Sequence, residues 1–156
     1  MSLNAPKNLI RLLAIAIFTI SWRDSAQQKA APARTVTLRV EVSGLRSSKG
    51  KVGCSLWASA SGFANKPEKA FRRQFVAIVG TRAVCEFKSV PTGSYAASAM
   101  HDEDGDGKMR MTLFGAPLEG RGASRDARPG FMRGPRFEDA SFRVTVDATV
   151  PITIRY

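Results

Sequence analysis

Histidine and cysteine are scarce in this sequence. The chain of 156 residues contains one His and two Cys, too few for a zinc site built from Cys and His ligands or for an iron–sulfur cluster. It also lacks the glycine-rich patterns GxxxxGKS/T and GxGxxG, so the common nucleotide-binding loops are excluded. The rest of the sequence supports inferences about the fold class, the cellular compartment and a candidate ion site, but it does not indicate a reaction.

Long apolar runs are also missing. The longest one near the N-terminus covers residues 12–20, whereas a bilayer-spanning helix needs about 20 residues. Lys7 and Arg11 precede this run, and a basic segment followed by a short apolar one is typical of a secretory signal peptide. We therefore expect a signal peptide and flexible leader over residues 1–33 and export to the periplasm or beyond, without a transmembrane segment in the mature chain. An uncleaved anchor or a disordered tail is the alternative.

Acidic residues are outnumbered. The chain has 24 Lys and Arg against 13 Asp and Glu, a net charge of +11, and residues 34–156 alone carry +8. Such a charge favours contact with anionic envelope polymers or with another envelope protein, or it serves solubility alone. Specific nucleic-acid binding is not expected, because most aromatic residues lie on core-facing phases and export removes the usual nucleic acids.

From residue 34 onwards the chain shows the period-two alternation of half-buried strands. Seven short stretches with turn residues between them, and no amphipathic helix, predict an all-β domain over 34–156, an antiparallel two-sheet sandwich of about seven strands. Pro151 lies in the last stretch, which predicts an edge strand or the start of a strand, because proline cannot donate to the ladder. The stretches are residues 35–42, 51–56, 75–79, 83–87, 95–101, 142–147 and 150–156.

Cys54 and Cys85 both fall on the apolar phase of their strands. In an exported protein two inward-facing cysteines predict one disulfide, which would stabilise the fold by roughly 3–4 kcal/mol. Two buried free thiols are the alternative.

The densest polar chemistry lies in residues 101–108. Asp102, Asp104 and Asp106, followed by Gly107, match the first half of a D-x-D-x-D-G calcium loop, in which alternate carboxylates converge on a hard cation. The backbone carbonyl of Lys108 would be the next ligand. The sequence therefore indicates a weak Ca²⁺ site.

The second half of the calcium pattern does not match. Arg110 and Leu113 stand where an EF-hand has its later ligands. Glu119 is a candidate for a missing ligand. A solvated acidic turn between two strands explains the same residues, so both interpretations stay open.

Several motifs in order resemble the bacterial exported family called domain of unknown function 2141. The resemblance covers residues 36–156 and implies a prealbumin-like or immunoglobulin-like sandwich with no established activity. That family usually has Asn at the positions of Asp104 and Asp106 and an acid at that of Arg110. The motifs are residues 44–45, 49–52, Phe63, 67–70, 91–96, 101–108, 114–120 and 134–142.

The Gly-, Pro- and Arg-rich segment 115–136 is long for a connection in a sandwich, and such loops are usually functional or disordered. Because the resemblance includes both of its ends, we expect it to pack over one end of the sandwich, anchored by Phe114, Phe131 and Phe137.

The sequence favours a non-enzymatic binding or structural module over an enzyme. The ligand-facing candidates are His101, Glu119 and Arg121, in loops at one end of the sandwich. The alternatives are a secreted hydrolase-like enzyme that uses His101 and loop residues, and a non-specific binder of anionic polymers through its arginines.

Overall fold

The computed structural model describes residues 1, 34–115, 117–130 and 133–156. The expected signal segment 1–33 lies outside the described residues except for Met1, and so does Phe131. Eight strands are present in the described part, all within the compact unit Pro32–Tyr156. They are β1 (Thr35–Ser43), β2 (Lys51–Trp57), β3 (Arg72–Ala77), β4 (Ala83–Pro91), β5 (Gly93–Asp102), β6 (Arg121–Ala123), β7 (Phe142–Val144) and β8 (Ala148–Thr153).

Two sheets form the predicted all-β sandwich. The first has the order β4-β1-β8, and the second has the order β3-β2-β5-β6, with β7 also pairing with β5. β8 lies at the edge of the first sheet and holds Pro151, which confirms the edge strand expected from that proline. One pair departs from the expected antiparallel arrangement, because β8 runs parallel to β1 from Leu38 opposite Ala148 to Ser43 opposite Thr153.

The core between the sheets follows from the alternation. Val40 and Leu38 of β1 are fully buried, as are Val52 and Leu56 of β2. The predicted disulfide joins Cys54 of β2 to Cys85 of β4 and therefore links one sheet to the other.

The outer face of the five-stranded sheet is covered as well. Trp57, Phe63, Ala123 and Ala140 form a second buried cluster there. As a result β2 is buried on both faces rather than half-buried.

The described part of the segment 115–136, which the sequence predicts to be a loop, contributes to this cover and also to the sheet itself. It contains β6 and a 3₁₀ turn, Ser124–Asp126, and is followed by a short helix α1 (Phe137–Ala140). The buried hydroxyl of Ser124 accepts a hydrogen bond from the Ala97 N–H at 3.0 Å and donates one to the Ala140 carbonyl at 2.6 Å. This hydroxyl holds the segment against β5.

Two of the expected anchors of that segment can be compared with the structure. Phe137 packs edge-on against Phe63, with ring centroids 5.7 Å apart. Phe114 does not act as an anchor, since it is 97% exposed. Described residues of the segment, among them Ala127 and Pro129, border a groove together with Ser55 and Ser98 of the five-stranded sheet.

Candidate functional site

The acidic turn begins where β5 ends. Asp102 is the last residue of β5 and pairs with Lys51 of β2. It is completely buried, whereas Asp104 and Asp106 are exposed in the turn that follows. The sheet therefore fixes one carboxylate, and the turn brings the other two towards it.

The turn is folded by its own carboxylates. The N–H groups of Asp106, Gly107 and Lys108 donate to Asp104 Oδ1 at 3.2 Å, Asp102 Oδ2 at 2.9 Å and Asp106 Oδ1 at 2.7 Å. Gly105 and Gly107 both have φ of +78°, a conformation that glycine adopts without strain. This local geometry explains the alternation of Asp and Gly in the sequence.

The carboxylates of the three aspartates converge. One oxygen from each of Asp102, Asp104 and Asp106 lies within 4.8 Å of the other two. Asp102 Oδ1 is buried and has no hydrogen-bond partner among the described residues, although a buried polar oxygen is normally paired. The arrangement supplies hard oxygen donors of the kind that Ca²⁺ prefers. The Lys108 carbonyl stays a predicted ligand.

Two cationic side chains stand beside these carboxylates. Lys51 Nζ lies 3.5 Å from Asp102 Oδ2 and donates to the Gly105 carbonyl at 2.9 Å. Arg110 Nη1 lies 3.5 Å from Asp104 Oδ2. These contacts offset part of the repulsion between the carboxylates, and a bound cation would compete with them.

Glu119 closes the turn instead of joining the three aspartates. Its carboxylate is almost completely buried and accepts the backbone N–H of Glu103 on Oε1 and that of Arg110 on Oε2, both at 3.0 Å. Because each oxygen already has a partner, the Glu119 carboxylate connects the two ends of the turn by hydrogen bonds.

His101 points to the opposite face of β5 from Asp102. Its ring is fully buried, with Nε2 2.8 Å from the Lys49 carbonyl and Nδ1 2.5 Å from the Tyr156 hydroxyl. The carbonyl can only accept, so Nε2 carries a proton, and in the neutral imidazole Nδ1 then accepts the Tyr156 hydroxyl. Both nitrogens are therefore occupied in holding the C-terminus against the loop before β2.

Glu103 is held by the loop on the other side of the turn. Its carboxylate makes a two-point ion pair with the Arg46 guanidinium, with Nε 3.0 Å from Oε1. This hydrogen bond from Arg46 holds the pKa of the Glu103 carboxyl below its usual value and raises the pKa of Arg46.

Arg121 does not belong to the cluster of three aspartates; it begins β6, where it pairs with Met100 of β5. It lines a groove of about 690 Å³ over the outer face of the five-stranded sheet, together with Met100 and Lys108. The structure thus brings Asp102, Asp104 and Asp106 together and uses Glu119 and His101 as supports. It places Arg121 in an adjoining groove that Lys108 also lines.

Sequence reasoning missed three residues around the turn: Arg46, Lys51 and Tyr156. Their roles depend on contacts with residues more than 50 positions away, and local patterning carries no signal for such contacts.

These features define a class of protein: a two-sheet β-sandwich with a carboxylate-rich turn at the end of a central strand. The chain belongs to the family described as "uncharacterized protein conserved in bacteria" (DUF2141), whose model matches residues 40–152. No curated protein and no solved structure matches the chain. In the part of the chain that the structure describes, no helix has the length and apolarity needed to cross a membrane.

Proposed function

We propose that this protein is an exported, non-enzymatic binding or structural module in which the acidic turn binds a divalent cation, Ca²⁺. The observation that carries the proposal is the Asp102 carboxylate. It is fully buried, one of its oxygens has no partner among the described residues, and it belongs to a cluster with Asp104 and Asp106. A cation bound by the three carboxylates would supply the missing partner of Asp102 Oδ1.

A structural rather than catalytic role is supported by the surroundings of the turn. His101 is buried with both ring nitrogens hydrogen-bonded, and Glu119 accepts two backbone N–H groups. A general acid or base has to reach the proton that it transfers, and neither side chain is free to do so. Export of the protein is inferred from the N-terminal sequence and is part of the same proposal.

The test compares the melting temperature of the oxidised full chain in excess EDTA and in millimolar Ca²⁺. A ligand at a hundredfold excess over its Kd stabilises the folded state by about 2.7 kcal/mol, which corresponds to a rise of several degrees. We expect this rise in the wild type and its loss in Asp104→Ala. Each variant is compared with itself in EDTA, so a general loss of stability does not affect the result.

Asp139→Ala is the matched control, because Asp139 is exposed in α1 and far in sequence from the turn. It should keep the full Ca²⁺ response. Equal melting temperatures of the wild type in EDTA and Ca²⁺, or a response that survives in Asp104→Ala, would contradict the proposed site. Mg²⁺ in place of Ca²⁺ should give a smaller rise, because Mg²⁺ demands octahedral geometry and keeps its waters.

A further inference from the structure

The groove that contains Arg121 lies between the outer face of the five-stranded sheet and the chain that covers it. Its floor includes Ser55 of β2 and Ser98 and Met100 of β5, and its walls include Met109, Met111 and Pro129. A volume of about 690 Å³ is within the range of sites that bind small organic ligands.

The accessible apolar lining of the groove is mostly aliphatic. Three methionines contribute to it, Met100, Met109 and Met111, together with prolines and alanines. Two aromatic residues also border the groove. Trp57 is only 1% exposed and its ring packs edge-on against Phe63. Tyr156 is half-exposed, but the Arg46 guanidinium lies over its ring, 4.2 Å from the centroid. Flexible thioethers adapt to a variable aliphatic shape, whereas a planar aromatic ligand would need an open ring face. The lining therefore favours an alkyl chain.

The charged residues among the described lining of the groove are all basic. Four cationic residues border the groove, and no Asp or Glu is among the described residues that line it. Arg128 and Arg155 share the carboxylate of Asp126, which lies outside the groove. Arg121 and Lys108 form no ion pair within the described part of the chain. A guanidinium without a carboxylate partner is suited to bind an anionic headgroup.

Two hydroxyl groups on the floor add polar partners next to the apolar surface. Ser98 Oγ accepts a hydrogen bond from Trp57 Nε1 at 2.9 Å, so its own O–H remains to be donated. Ser55 neighbours it directly across the strand pair. A few polar groups within an apolar lining are typical of sites that orient a ligand.

We propose that this groove binds a single-chain aliphatic amphiphile with a carboxylate headgroup. The alkyl chain lies against Met100, Met109 and Met111, and the carboxylate pairs with Arg121. This site adjoins the cation site, because Gly107 and Lys108 of the acidic turn line the groove, whereas the carboxylates of Asp102, Asp104 and Asp106 do not.

The experiment is a titration of the full chain, labelled with ¹³C at the methionine methyl groups, with dodecanoate below its micelle concentration. All solutions contain EDTA, so the outcome is independent of the proposed cation site. The resonances of Met100, Met109 and Met111 should shift with one saturating curve, while that of the exposed Met1 stays in place. Because these resonances report locally, amphiphile bound elsewhere on the chain does not imitate the result.

Charge is tested with matched probes and variants. Arg121→Gln should weaken dodecanoate binding about tenfold, the loss expected for one charge-assisted hydrogen bond. Arg82→Gln is the control, since Arg82 is exposed in the turn between β3 and β4 and outside the groove. Dodecanol and dodecyltrimethylammonium should bind more weakly than dodecanoate.

Three results would overturn the inference. The first is an absence of shifts in the three groove methionines. The second is an equal loss of affinity in Arg82→Gln and Arg121→Gln, which would mean that net charge alone attracts the anion. The third is equal binding of dodecanol and dodecanoate, which would remove the role of the headgroup.

Discussion

Glu119 Oε1 accepts the backbone N–H of Glu103 across 16 residues of chain, at 3.0 Å. Its second oxygen does the same for Arg110, so one buried carboxylate fixes both ends of the acidic turn. The turn is thereby held as a closed loop on the sheet, independent of what its exposed carboxylates bind.

Glu119→Gln should lower the free energy of unfolding by about 1–3 kcal/mol. The substitution puts an NH₂ group opposite one of the two backbone donors, and a buried donor is then left unpaired. Urea unfolding measures the loss, and faster hydrogen exchange of the Glu103 and Arg110 amides locates it. Glu138→Gln is the control, because that side chain is exposed on α1, and it should change stability very little.

Tyr156→Phe should destabilise the protein by about 1–2 kcal/mol. The variant removes the hydroxyl that contacts His101 Nδ1 and accepts the Arg46 N–H, and it leaves the buried ring nitrogen of His101 without a partner. Chemical unfolding gives the magnitude. In the wild type, ¹⁵N spectra of the His101 ring should show the proton on Nε2, and a proton on Nδ1 would contradict the assigned network.

Acidification should weaken the Arg46–Glu103 contact. Arg46 lowers the pKa of Glu103 in the folded state, so the contact stabilises the fold above the unfolded pKa of about 4.3. That stability is lost as the pH falls through the lower folded pKa. Urea unfolding at pH 6 and pH 3 should therefore show a smaller loss in Arg46→Gln than in the wild type.

Arg82→Gln is the charge-matched control for this experiment, since it removes one cation outside the contact. It should retain the pH dependence of the wild type. The other shifted carboxyls, Glu86 and Asp126, keep their arginine partners in both variants, so their contributions cancel. Identical pH dependence in all three proteins would contradict the assignment.

The covalent link between the sheets should account for a large share of stability. Cys54 and Cys85 are 31 residues apart in the chain, and a loop of this length predicts about 3–4 kcal/mol in the chain-entropy model. The double variant Cys54→Ala/Cys85→Ala should lose about this amount in urea unfolding. A thiol reductant should destabilise the wild type similarly and leave the double variant unchanged.

Two glycines with positive φ should respond differently to alanine. Gly50 has φ of +70°, and a Cβ there would overlap the backbone carbonyl oxygen of Asp102. Gly80 has φ of +63°, with no atom within 4 Å of such a Cβ. Gly80→Ala should cost about 1 kcal/mol from backbone strain alone, and Gly50→Ala about 3 kcal/mol or more. Equal losses in thermal unfolding would show that the loop before β2 does not pack on the turn.

Most strands were predictable, because alternation is a local property that burial of one face imposes on the sequence. The pairing of the strands was less predictable. Nothing local to residues 148–153 indicates that β8 runs parallel to β1, and the three residues of β6 are too few to show a period. The two-sided burial of β2 also depends on distant chain that covers Gly53, Ser55 and Trp57.

The acidic turn was predictable as a motif, since the Asp and Gly spacing is set by local backbone geometry. The roles of its neighbours were not. In the sequence, Glu119 looks like a free carboxylate in a loop. Only the fold brings the amides of Glu103 and Arg110 to it. Likewise, the burial of Asp102 is set by the sheet and the returning turn.

The parallel pair of β1 and β8 has a mechanical consequence. Force applied at the beginning of β1 and the end of β8 acts at opposite ends of this pair, since both strands run the same way. The ladder is then loaded in shear, and its hydrogen bonds must break together rather than one after another. Tethered by its two termini, the domain should resist extension, with a rupture force set by the unfolding rate under load.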